Sequence, residues 1–298
     1  MPQELIVVTA ATGNIGSKIV HRLLDHGKQV RAVGRSLEKL QPLIDKGAEA
    51  FIGSVENSQY MEKAFANAHA VFTLIPPKIN ALNVLEYQNK VSRNYARAII
   101  LNGVNYCVNL SSVAAHLKNK TGPIAGLYSH EQNLNAIEPL NLMHLRPGFF
   151  MENCFQNINL IKQMGINGTP LRSELPMPMI ATRDIALVGS ELLMSLNFKG
   201  KNVQELLGQR DISMEEATLI LGKALSKNDL KYVQFSYADA QKAMITTGLS
   251  EDFSRLLVEM YQSFNDGLAQ ATEPRSSKNS TQTSFEDFAQ EFAKIYNN

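Results

Sequence analysis

The sequence predicts a doubly wound α/β fold, a parallel sheet with helices on both faces, followed by a smaller and mostly helical C-terminal region. Three observations carry that expectation. Strand-like and helix-like runs alternate through the first half of the chain, the pattern that gives parallel strands joined by crossover helices. The opening run Leu5-Ile6-Val7-Val8 is continuously apolar, as a strand covered on both faces requires. It passes through a turn of small residues straight into Ile15, Ile19, Val20, Leu23 and Leu24 at helical spacing.

In chain order, strands are expected near residues 4–9, 28–33, 48–52, 69–75, 104–110 and 141–146, and helices near 14–26, 37–46, 57–66, 80–102 and 124–137. Pro76-Pro77 closes the fourth strand, because proline donates no ladder hydrogen bond. Beyond Arg146 the regularity changes, with Pro147-Gly148, an apolar-amide helix pattern over 153–164 and a Gly-, Pro- and Met-rich loop over 165–178. Residues 184–196 read as a helix returning to the first region and 202–207 as a last strand; further helices follow over 213–226, 237–247 and 251–265. The polar stretch 273–283 reads as an exposed loop. A final helix begins at Ser284, whose hydroxyl can cap the Asp287 amide, with Phe285, Phe288 and Phe292 on one side. The expected division is a nucleotide-binding unit over 1–148 and a substrate region over 149–298, with 184–207 returning to the first.

Composition excludes several classes. A formal charge of +1 over 298 residues gives no electrostatic case for nucleic acid. No apolar run is long enough to span a bilayer, and Pro2-Gln3-Glu4 leads into a strand without a cationic leader, so no membrane partner and a cytoplasmic location are expected. Two cysteines, Cys107 and Cys154, support neither a disulfide framework nor a metal cluster, and read as buried thiols.

The turn after the first strand reads Ala10-Ala11-Thr12-Gly13-Asn14-Ile15-Gly16. The A-x-x-G-x-x-G spacing places Ala10, Gly13 and Gly16 where a side chain would obstruct the turn, the phosphate or helix packing, and the helix amides then face a dinucleotide's pyrophosphate. Ala10 fits such a turn only while its φ stays negative. After the second strand, where an NAD site places an acid, the chain has Gly34-Arg35-Ser36. The Arg35 guanidinium can pair with a 2′-phosphate and Lys39 adds charge, so NADP(H) is expected over NAD(H). Ile75, Pro76 and Ser111 end the fourth and fifth strands on the carboxyl edge, where ligands of such sheets bind, and are expected at the cofactor.

The chain resembles the NmrA-like branch of the atypical short-chain dehydrogenases. Beyond the glycine loop and Gly34-Arg35-Ser36, the resemblance rests on Leu145-Arg146-Pro147-Gly148-Phe149-Phe150-Met151-Glu152-Asn153, Pro178-Met179-Ile180-Ala181-Thr182-Arg183-Asp184-Ile185-Ala186 and Thr283-Ser284-Phe285-Glu286-Asp287-Phe288, in this order. It implies a Rossmann sheet, and relatives that are NADPH-dependent quinone and dye reductases or NADP-sensing regulators. By resemblance the glycine loop holds pyrophosphate, Arg35 meets the 2′-phosphate, and Pro147, Gly148, Phe149 and Phe150 cover the nicotinamide side. Asp184 would mark the helix that locks the second region onto the first, a role compatible with capping that helix. The chain departs from the pattern at Ala10 and at Gly53-Ser54, where relatives often carry an acid near the adenine.

Catalytic machinery is sparse. A typical short-chain dehydrogenase activates a tyrosine with a lysine four residues on, but Tyr128 is followed at that spacing by Gln132. The lysine that resembling reductases carry four residues before the helix glutamate, here Glu131, would fall at Leu127. Tyr128 and His130 are the candidate proton donors, with His116 behind them. A quinone-like acceptor needs less help, since its developing phenolate is stabilised by its own ring. Phe149, Phe150, Met151, Met177 and Met179 are the expected apolar acceptor pocket, with core packing as the alternative. The expected function is an NADPH-dependent reductase of a small conjugated acceptor, as monomer or homodimer. The alternative is a non-catalytic NADP(H) sensor acting through a protein partner.

Overall fold

The computed structural model describes residues 4–297. The first half alternates strand and helix as β1 (Leu5–Val8), α1 (Asn14–Asp25), β2 (Gln29–Gly34), α2 (Leu37–Asp45), β3 (Glu49–Ile52), α3 (Ser58–Ala64), β4 (Ala68–Thr73), α4 (Val84–Asn102), β5 (Tyr106–Leu110), α5 (Ile124–Asn135) and β6 (Asn141–Pro147). Then come β7 (Phe149–Phe150), a 3-10 segment (Met151–Asn157), α6 (Ile158–Met164), β8 (Ile166–Thr169), β9 (Met177–Ile180), α7 (Thr182–Ser195) and β10 (Lys201–Leu206). The chain closes with β11 (Asp211–Ile212), α8 (Met214–Ala224), β12 (Lys231–Gln234), α9 (Tyr237–Thr246), α10 (Glu251–Asn265) and α11 (Phe285–Asn297).

Seven strands form one parallel sheet in the order β10-β6-β5-β4-β1-β2-β3. The order reverses between β1 and β4, and a crevice opens there at the carboxyl ends. One face is covered by α1, α2 and α7 through Ile15, Ile19, Leu23, Leu40, Ile185 and Leu193. The other is covered by α3, α4 and α5 through Met61, Val91, Tyr95, Ile99 and Leu134. A separate core joins the aromatic stripe of α11, Phe285, Phe288 and Phe292, to Met151, Met177, Met179 and Leu221. The helix starts follow their capping residues: Ser36, Asn57, Asn83, Ser213, Ser236 and Ser250 each accept an amide of their own first turn. Ser284 accepts the Asp287 amide at 3.0 Å, as its position in sequence anticipates.

Three expectations change. The segment 165–178 is not all loop, since β8 pairs with β12 and β9 with β7 and β11; these short strands lack the alternation that marks a longer one. The polar segment 273–283 is not wholly exposed, because Asn279 and Thr283 are buried. Its internal hydrogen bonds replace apolar burial: Asn279 Nδ2 donates to the Pro274 carbonyl and its Oδ1 accepts the Ser276 amide at 2.7 Å. Thirdly, Ala10 does not keep a negative φ; it stands at +49°, where a Cβ crowds the backbone. Ala10→Gly is therefore expected to stabilise the fold by about 0.5–1 kcal/mol. Urea unfolding checks this, and a lowered midpoint would contradict it.

Candidate active site

β1 delivers the glycine loop to the crevice. Thr9 Oγ1 donates to the Phe72 carbonyl at 3.0 Å and accepts the Leu74 amide at 3.1 Å, fixing the end of β1 to β4. On the other side the Ala11 amide donates to the Val33 carbonyl of β2 at 3.0 Å. The turn closes through Gly13 N–H on the Ala10 carbonyl, 2.9 Å. A Cβ at Gly16 would lie 2.3 Å from the Ala10 carbonyl oxygen, so the position admits glycine alone without backbone movement.

This helix start differs from the serine- and asparagine-capped ones. Gly13 is the cap residue of α1, with no side-chain cap and no acid in the first turn. The amides of Asn14, Ile15 and Gly16 have no hydrogen-bond partner among the described residues. Open donors on the positive end of a helix dipole, with no carboxylate beside them, fit an anionic diphosphate. Thr12 is half-buried at the lip, and Gly13 and Asn14 are exposed.

On the adenosine side, Arg35 and Lys39 are exposed and their side chains form no hydrogen bond or ion pair among the described residues. Ile75 is buried, and the Pro76 carbonyl accepts the Tyr87 hydroxyl at 2.8 Å. Ser111 lies at the carboxyl edge as expected, but its hydroxyl is engaged within the protein. Its Oγ donates to Glu131 Oε1 at 2.5 Å and its amide to the Leu145 carbonyl at 2.7 Å. Glu131 in turn receives Arg146 Nε at 2.9 Å and Nη2 at 2.5 Å, a two-pronged ion pair with both side chains buried. The ends of β5, α5 and β6 are thereby tied together.

His130 departs from its expected role as a proton donor. It is 0% exposed, packed 5.9 Å from the Tyr95 ring between α4 and α5. Ser92 Oγ accepts Asn133 Nδ2 at 2.9 Å and shares a hydrogen bond with His130 Nδ1 at 2.8 Å. Nε2 has no partner among the described residues. Burial, with a lesser push from His144, drives its pKa down to about 3. The unfolded chain binds a proton below about pH 6.5 that the folded ring refuses until about pH 3. This part of the stability is thus full above pH 6.5 and declines as pH falls; at pH 5 the loss is about 2 kcal/mol. Denaturant midpoints of the protein and of His130→Gln across pH 5–7 test this, the variant having the shallower slope. Tyr128, by contrast, is half-buried and shares a face of α5 with Ile124 and Glu131.

A cavity of about 620 Å³ opens beside this edge, with Pro147, Gly148, Phe149 and Phe150 on one wall. Met260 and Phe264 of α10, with Leu175 and Met177, add further apolar surface, and Ser112 from the loop after β5 and Ile124 of α5 also line it. Of the expected pocket residues, Phe149, Phe150 and Met177 line it, whereas Met151 and Met179 are buried in the core beneath. The segment 267–275 closes the far side. It is held by the buried Glu205 carboxylate, which accepts the Thr272 amide and hydroxyl, each at 2.9 Å, and the Glu273 amide at 3.1 Å. Arg275 donates to the Leu207 and Gly208 carbonyls and pairs with Asp211.

The three later stretches that carry the family resemblance prove to be physically joined. Glu152 Oε1 accepts the Thr182 amide at 2.9 Å and its hydroxyl at 2.5 Å, capping α7 from outside. Asp184 does not cap α7; it accepts the Thr283 amide at 3.1 Å and hydroxyl at 2.6 Å, anchoring the approach to α11. Among the described residues, no helix is long and apolar enough to cross a membrane, and no group of three His, Cys, Asp or Glu is placed to hold a metal.

Open amides at the strand-order reversal, a free guanidinium after β2 and an apolar cavity along the same edge define a Rossmann-type dinucleotide-binding protein. The chain belongs to the NmrA-like family, whose profile matches residues 2–290. Among curated relatives it is 23% identical over 257 residues to an NAD(P)H azoreductase of Xenophilus azovorans, covering 86% of each chain. Among solved structures it superposes on a Citrobacter sp. triphenylmethane reductase complexed with NADP(H), with a TM-score of 0.81, 19% identity and coverage of 97% of this chain and 99% of that one. An Escherichia coli NADPH-dependent quinone oxidoreductase complexed with NADPH superposes with a TM-score of 0.79 at 19% identity, covering 96% and 99%.

Proposed function

We propose that this protein is an NADPH-dependent reductase that passes hydride to a quinone-like or other small conjugated acceptor. The observation that carries the reading is the 620 Å³ apolar cavity whose wall is Pro147–Phe150, the stretch that covers the nicotinamide side by family resemblance. In this reading residues 1–148 bind coenzyme and residues 149–298 build most of the acceptor pocket. The reductase relatives, acting on dyes and quinones, support it.

Bound NADPH supplies the hydride. The Asn14, Ile15 and Gly16 amides hold its diphosphate, Arg35 and Lys39 the 2′-phosphate, and Ile75 and Pro76 flank the adenosine half. Phe149, Phe150, Met260 and Phe264 sandwich a flat acceptor and exclude water, which strengthens every interaction within the cavity. Ser111, Glu131 and Arg146 keep β5, α5 and β6 in register beneath it. Tyr128, one turn of α5 beyond the lining residue Ile124 but not itself a lining residue, is the candidate proton donor in this reading.

Steady-state oxidation of NADPH against quinones, azo and triarylmethane dyes and enones tests the proposal. Turnover above the enzyme-free rate is expected, and Arg35→Glu raises KM for NADPH at least tenfold while changing KM for NADH far less. Tight NADP(H) binding with no turnover on any acceptor would instead favour a sensor acting through a protein partner, the reading that the absent Tyr-Lys pair allows.

A further inference from the structure

Two charged side chains from successive loops meet beside one tyrosine at the carboxyl edge, next to the loop that carries Arg35. Lys78, two residues beyond Pro76, places Nζ 2.9 and 3.0 Å from the two carboxylate oxygens of Glu56. The same ammonium lies 5.3 Å from the centre of the Tyr87 ring. Glu56 belongs to the loop after β3, which Asn94 of α4 pins by donating to the Val55 carbonyl at 2.9 Å. Tyr87 is fixed by its hydroxyl on the Pro76 carbonyl, and the loop after β3 is held to the end of β2, one residue before Arg35, by the Gly53 amide on the Gly34 carbonyl at 2.9 Å. Arg35, Glu56 and Lys78 therefore stand on three neighbouring loops of the carboxyl edge. A shallow depression of about 400 Å³, lined among others by Lys78, Glu86, Tyr87, Lys90 and Arg93, adjoins Lys78 along α4.

The Lys78–Glu56 pair is 40% and 30% exposed, so it adds little to stability. Its consequence is electrostatic. Glu56 supplies, two residues later, the carboxylate that Gly53-Ser54 lacks, and a carboxylate there favours ribose hydroxyls and opposes a 2′-phosphate. Lys78 cancels that charge, and an ammonium with three N–H groups, two of them directed at Glu56, keeps one for a phosphate oxygen.

We propose that Lys78 and Glu56 are specificity-determining residues of opposite sign for the coenzyme: Lys78 joins Arg35 in selecting the 2′-phosphate, and Glu56 works against it. The inference rests on the reading of Arg35 as the 2′-phosphate partner. It assigns coenzyme choice to a balance between two loops, not to the residue after β2 alone.

Calorimetry on the full-length protein with 2′,5′-ADP and 5′-AMP, which carry only the adenosine end, tests it. The native protein binds 2′,5′-ADP the more tightly. Lys78→Ala is expected to lower that preference about three- to tenfold at low ionic strength, and Glu56→Gln to raise it by a similar factor, both effects shrinking in high salt. Lys78→Ala/Glu56→Gln returns close to the native ratio. Thermal unfolding of each variant confirms that the fold is kept. If Arg35→Ala removes the preference but Lys78→Ala and Glu56→Gln leave it within twofold, or shift it in the same direction, the proposal is overturned and the reading of Arg35 stands. If the native protein shows no preference, the reading of Arg35 fails and the proposal falls with it.

Discussion

Gly16→Ala is expected to remove measurable coenzyme binding, raising the dissociation constant for NADPH by about a hundredfold or more, equivalent to about 2.7 kcal/mol. The added Cβ would sit 2.3 Å from the Ala10 carbonyl oxygen and 2.9 Å from its carbon. Those are backbone atoms of the same turn, so relief comes only by moving α1 away from the loop. That displacement carries the Asn14, Ile15 and Gly16 amides out of convergence on the diphosphate, and overpacking of this kind also costs about 1–3 kcal/mol of stability. Gly13→Ala separates the two effects. Its φ of −87° suits alanine and its added Cβ would lie 3.3 Å from the Ala10 oxygen, so folding is nearly kept while a methyl group enters the diphosphate's approach. Titration calorimetry with thermal unfolding reads both variants. Native affinity in Gly16→Ala would mean that the α1 terminus does not hold the coenzyme.

Glu131→Ala is expected to destabilise the protein by about 3–5 kcal/mol, because it leaves the Arg146 guanidinium buried without its partner. The Arg146 side chain is only 10% exposed and that of Glu131 1%, so water cannot replace the lost carboxylate. The Ser111 hydroxyl loses its acceptor at the same stroke. At this chain length the melting temperature should fall by roughly 6–15 °C. Glu131→Leu/Arg146→Met removes both charges together and should recover most of the loss, since a buried pair and an apolar pair of similar volume differ little. Differential scanning calorimetry of the single and double variants decides it. A loss below about 1 kcal/mol in Glu131→Ala would show that the pair does not hold β5, α5 and β6 together.

The sheet was legible because its strands and helices carry strong local signals: unbroken apolar runs, helical spacing, capping residues and the proline stop after β4. The diphosphate loop was legible for the same reason, being a local motif. What escaped depends on contacts distant in sequence. Met260, Phe264 and Arg275 reach the cavity from more than a hundred residues beyond Phe150, and nothing in their neighbourhood marks them as pocket residues. Met151 and Met179 look like pocket residues in sequence because spacing alone does not say which face of a short strand or a 3-10 turn meets a cavity. His130 looked available because its chemistry suits proton transfer, yet helix periodicity places it toward α4, where Ser92 and Tyr95 enclose it. The sequence shows that Ala10 needs a negative φ to sit without strain, but not that the turn holds it at a positive one. Glu131 and Arg146 were visible only as members of a helix and a motif; their pairing needed three dimensions.

The central claim is that the uncapped start of α1, with Arg35 beside it, binds NADP(H). Isothermal titration of the full-length protein with NADPH and NADH is its most direct test. Saturable binding of NADPH, at least tenfold tighter than NADH and lost in Gly16→Ala, is the predicted result. No heat with either nucleotide, at protein concentrations where thermal unfolding shows a folded chain, would contradict it.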